Sequence, residues 1–111
     1  MTNLDNAIAR VKDGSSLYWM FYHPDDVQEY EIVEVRFNGH EGLVNKFIPP
    51  IGWTLHRIQW DDTFFIRRLQ LMRKQDVEDM LCEMLRFAAK NDAQLHSWEA
   101  GGDLAPDGFH P

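Results

Sequence analysis

Between about Lys74 and Lys90 the chain carries Val77, Met80, Leu81, Met84, Leu85 and Ala88 at steps of three and four, while Asp79, Glu83, Arg86 and Lys90 gather on the opposite side. That spacing predicts a helix with one apolar stripe. A single helix cannot hide such a stripe by itself, so a second layer must cover it. A shorter version opens the chain: Leu4, Ala7, Ile8 and Val11 share one helical face, with Thr2 or Asn3 available as N-cap and Gly14 as the stop.

The covering layer is expected from the β-rich stretch between these helices. Leu17 to Tyr22 is apolar on both faces and too short for a helix, so it reads as a central strand ended by His23-Pro24-Asp25-Asp26. Gln28 to Phe37 is β-rich, but its apolar positions shift from Tyr30 and Ile32 to Val33, Val35 and Phe37, which implies a bulge or two buried faces. Asn38-Gly39 carries a hairpin signal. Leu43 to Ile48 reads as the next strand, closed by Pro49-Pro50-Ile51-Gly52. Trp53 to Trp60 offers another, with His56, Ile58 and Trp60 on one face and Leu55, Arg57 and Gln59 on the other. Phe64 to Leu69, after an Asp61-Asp62 turn, fits either a strand or the start of a helix, and Gln94 to Glu99 fits a short last strand.

Helix, consecutive strands, helix indicates an α+β fold rather than repeated βαβ units. The expected architecture is an antiparallel sheet of about four to five strands with the N-terminal helix and the long C-terminal helix packed on it. Residues 1–100 are expected to form one domain, since 111 residues support a single core. Residues 101–111, with Gly, Pro and few apolar side chains, are expected to be a flexible tail.

A lone cysteine forms no internal bridge, and no charged-then-apolar leader opens the sequence, so a reducing cytoplasm is the expected home. The run from Leu17 to Tyr22 is far below the roughly 20 apolar residues that cross a bilayer, so no membrane is expected. A net charge of −7 argues against direct nucleic-acid binding. The charge is uneven: Asp25, Asp26, Glu29, Glu31, Glu34 and Glu41 face only Arg36, whereas Arg57, Arg67, Arg68, Arg73 and Lys74 face only Asp61 and Asp62.

Catalytic patterns are weak. Cys82 lies on the flank of its helix near Glu78 and Glu83, and carboxylates raise a thiol pKa, so it reads as structural. His23, His40, His56, His96 and His110 are scattered without metal-ligand spacing, and no cofactor is implied. Pro24-Asp25 followed by Glu34-Val35-Arg36 resembles, over these five residues, the Pro-Asp and Glu-x-Lys pattern of magnesium-dependent restriction-type nucleases. Arg36 stands where that chemistry uses a lysine, and an arginine does not give up its proton. Gly39-His40-Glu41-Gly42 lacks the Lys-Ser/Thr continuation of a phosphate loop, and Ser15 and Ser16 lack a nucleophile elbow. Aromatic side chains are numerous but not interleaved with bases, which favours core packing or a protein interface over base stacking.

Two functional expectations follow. The first is a non-catalytic protein-binding module that uses an acidic surface of Asp25, Asp26, Glu29, Glu31 and Glu34. It would act as an inhibitor or immunity-type partner of a basic, nucleic-acid-associated protein. The second is a small-molecule-binding domain or minor enzyme with a pocket between sheet and terminal helix, lined by Trp53, His56, Trp60 and Asp61. A homodimer formed through a sheet edge is a third arrangement.

Overall fold

The computed structural model describes residues 2–20, 30–40, 42–43 and 46–101. Helix α1, Asn3–Asp13, starts where Thr2 Oγ1 accepts from the Asp5 backbone N–H at 3.1 Å and the Asp5 carboxylate accepts from the Thr2 N–H in return. It stops at Gly14, whose φ of 84° is left-handed and open to glycine at little cost. Four strands follow: β1 Tyr30–Asn38, β2 Thr54–Gln59, β3 Thr63–Leu71 and β4 Gln94–Gly101, with α2, Lys74–Lys90, between the last two. All pairings are antiparallel and the spatial order is β2-β3-β1-β4, so the α+β architecture holds, with both helices on one side.

Register fixes two unlike faces. Val33, Val35 and Phe37 of β1 sit opposite Arg68, Ile66 and Phe64 of β3 and point to the helix side. There they meet Val77, Met80, Leu81 and Met84 of α2, all within one per cent of full burial. Phe47 stacks on Phe64 at 4.2 Å and meets Phe87 edge-on, closing one end of this core. The intervening residues Glu34, Arg36, Phe65 and Arg67 point to the other face, on which no helix among the described residues packs.

Three strand expectations are corrected. Leu17–Trp19 is a 3₁₀ turn, not a strand, and the remainder of that expected strand, beyond residue 20, lies outside the described residues. Its aromatic side chains act as clamps: the Tyr18 hydroxyl donates to the Leu95 carbonyl at 2.5 Å, and Trp19 Nε1 donates to the Val11 carbonyl at 2.9 Å. Tyr18 and Trp19 are thus anchored to two different elements, while Leu17 and Met20 beside them are exposed. The central position belongs to β1. Nor do the described residues between Leu43 and Ile48 form a strand; Leu43 is buried from 3₁₀ backbone and Phe47 from irregular backbone.

Among the described residues Asn38-Gly39 does not form a hairpin either, because β1 pairs with β3 and β4. Gly39 is needed for space: a Cβ there would stand 2.6 Å from Leu43 Cδ2 and 3.0 Å from Phe64 Cε2. The real tight hairpin joins β2 to β3 through Trp60 and Asp61, both left-handed at φ 57° and 61°. The parity change in β1 has two sources. Its register with β3 is unbroken, so Ile32 belongs to the helix-free face, while a shift against β4 falls between Arg36 and Phe37. Both edge strands are irregular, at His56 in β2 and His96 in β4, which interrupts the ladder that another chain would extend.

Candidate functional site

The helix-free face is a mosaic set by strand alternation. At its centre the buried Glu34 carboxylate accepts from Arg67 Nε at 2.7 Å, an ion pair with side chains only 7% and 13% exposed. Toward the β2–β3 hairpin, a cross-strand row runs from Ser97 through Arg36 and Phe65 to Arg57. The Arg57 guanidinium lies 4.1 Å from the Phe65 ring centre and that of Arg36 5.9 Å from it, with Arg36 also 5.7 Å from Trp60. These side chains, with Gln59 and Glu99, line an open cleft of about 380 Å³. Arg36 and Arg57 have no carboxylate partner among the described residues, and Arg36 Nε is buried without an acceptor.

The acidic surface drawn from the sequence is divided by the fold. Asp25, Asp26 and Glu29 lie outside the described residues. Glu31 and Glu34 point to opposite faces, because they are three positions apart on a strand whose register with β3 is continuous; Glu31 sits opposite Gln70 and Glu34 opposite Arg67. Glu34 is moreover taken up by Arg67. The acids exposed near the cleft are instead Asp61, Asp62 and Glu99.

Nor does the fold bring Trp53, His56 and Trp60 together. Trp53 is buried on the helix side with the Arg68 guanidinium 4.3 Å above its ring, and Trp60 is 68% exposed at the far end of β2, roughly 20 Å along the strand. His56 sits between them at the strand irregularity, half-buried. Sequence reasoning missed Arg36, Arg57, Phe65 and Glu99 as site residues. Arg36 shares Glu34's parity, which was a usable signal, but nothing local in Phe64-Phe65-Ile66 says which aromatic faces the helices.

Cys82 is buried, and that burial is the main reason its thiol is pushed above the ordinary range, against the opposing pull of Arg86 and Lys12. Glu78 and Asp79 add only a smaller rise. An unreactive thiol therefore rests on desolvation more than on the neighbouring acids. Among the described residues no three His, Cys, Asp or Glu side chains gather as a metal site. No described helix is long and apolar enough to cross a membrane. No protein-family model matches the chain, and a search of curated proteins finds no relative.

Proposed function

We propose that this domain is a non-catalytic protein-binding module whose contact surface is the helix-free face of the sheet. The observation that carries the reading is the company of exposed side chains on that face: Trp60 at 68%, Tyr30 at 63% and Leu69 at 45% exposure. Tyr30 and Leu69 lie at one end of this face and Trp60 at the hairpin end, so a partner that covers all three spans the sheet, and aromatic and arginine side chains are the usual centres of binding energy. Trp60 is held out by a left-handed backbone that a tryptophan adopts only at a cost, which favours a role for its exposed ring.

The partner that fits has a basic surface. Asp61, Asp62 and Glu99 offer exposed carboxylates around the aromatic centre, and the overall charge of −7 draws a basic protein at long range. An inhibitor or immunity-type role toward a nucleic-acid-associated protein is the finer form of this proposal.

The test is affinity capture on the purified domain from its host lysate at low and high salt, repeated with Trp60→Ala, Leu69→Asp and, as a control away from this face, Leu17→Ser. A basic protein captured by the parent and the control, lost with Trp60→Ala and Leu69→Asp and weakened by salt, supports the reading. Equal capture by every variant overturns it.

A further inference from the structure

We propose that the cleft between Arg36 and Arg57 is a binding site for a small, flat organic anion, a carboxylate or phosphate carried on an aromatic group. This goes beyond a protein-covered face, because the site is complete within one chain. Its floor is Phe65, its wall is the exposed Trp60 ring, and its volume of about 380 Å³ falls within the usual range for small ligands.

The charge pattern selects the ligand. In a chain where acids outnumber bases by 18 to 11, two guanidiniums converge on one aromatic ring and neither has a carboxylate partner among the described residues. The two distances set an upper limit of about 10 Å between the guanidiniums, so an anion held between them in the cleft comes within reach of both flexible side chains. A guanidinium offers planar, forked donors that match carboxylate and phosphate oxygens. The Arg36 Nε–H is already withdrawn from water and meets no acceptor, so an anion oxygen would satisfy a donor that the protein leaves open.

The acids in the cleft fix where the anion sits. Glu34 is held by Arg67, and Glu99 lies opposite Glu34 on β4, so negative charge closes that side. The remaining positive position is between Arg36 and Arg57, beside Phe65 and toward β2, with Gln59 at its edge. A flat ring carrying the anion would lie against Trp60.

The experiment is an NMR titration of the full chain with benzoate and with phenyl phosphate, using benzamide as the neutral control. Saturable shifts of the Arg36 and Arg57 Nε–H signals and of the Trp60 indole N–H are expected with one or both anions and not with benzamide. Preference between benzoate and phenyl phosphate identifies the headgroup. Arg57→Gln, at an exposed position, and Arg36→Gln should each weaken binding about tenfold or more, the equivalent of one lost charge-assisted hydrogen bond. Arg73→Gln, on an exposed side chain outside the cleft, should leave it unchanged. Absence of saturable shifts with both anions overturns the proposal, as does binding that both cleft substitutions leave intact. Either result leaves the protein-capture experiment standing as a separate question.

Discussion

On the helix side of the sheet, Val33, Val35, Phe37, Phe64 and Ile66 are wholly withdrawn from water beneath α2, while the same strands present Glu34, Arg36, Phe65 and Arg67 to the other side. One face is closed by apolar burial, which is roughly proportional to area and indifferent to direction. The other is organised by charge and ring geometry: a buried Glu34–Arg67 pair, and two arginines around Phe65. Alternating residues of one strand thus serve stability on one side and leave recognition chemistry on the other.

Substitutions can break that division of labour. Phe64→Ala should have the largest effect, removing about 4 kcal/mol of stability in a urea titration, since it opens a cavity beneath Phe47 and next to Phe37. Glu34→Ala should cost about 3 kcal/mol, because Arg67 is then left charged without that partner in a nearly buried place. Replacing both Glu34 and Arg67 by apolar residues of similar volume should recover much of this loss, which separates the cost of removing one partner from any worth of the pair itself. A loss as large as that of Glu34→Ala in the double variant would show instead that the pair supports the fold directly.

Smaller effects sharpen the contrast. Gly39→Ala should cost about 2 kcal/mol through overpacking against Leu43 and Phe64, although Gly39 is not at a positive φ. Trp60→Gly should raise stability by about 0.5 kcal/mol by relieving the left-handed turn, while lowering partner capture. A fall in stability on that change would mean that the ring supports the fold.

The smallest effect concerns the start of α2. Asp76 accepts from the Arg73 backbone N–H and from its Nε, and the side-chain bond holds the carboxyl below its ordinary value of 3.8. A depressed carboxyl contributes stability that is fully present above that value and is lost as pH falls through the lower folded-state value. Asp76→Ala should therefore lower the melting temperature slightly at neutral pH, and the difference should shrink below pH 3.8. A difference that grows in acid would contradict this sign.

Both helices were legible because their information is local: a stripe at the helical period, an N-cap at Thr2 or Asn3, and the Gly14 stop all lie within a few residues of what they determine. Strand content in β1 to β4 was legible for the same reason. The candidate cleft was not, since Arg36, Phe65 and Arg57 are distant in sequence and become neighbours only by register. Glu34 likewise looked like one member of an acidic run until Arg67, 33 positions away, engaged it.

By itself, then, the sequence determined which stretches are helical, most of which are extended, and that a helix with one apolar stripe must lie on a sheet, because periodicity and capping act over a few residues. Tertiary structure decided the rest. It turned Leu17–Trp19 into a clamp through side-chain bonds to Leu95 and Val11, made Gly39 a matter of space, and divided Glu31 from Glu34. Those outcomes depend on which strands become neighbours, and pairing free energy is gained only when residues far apart in the chain meet.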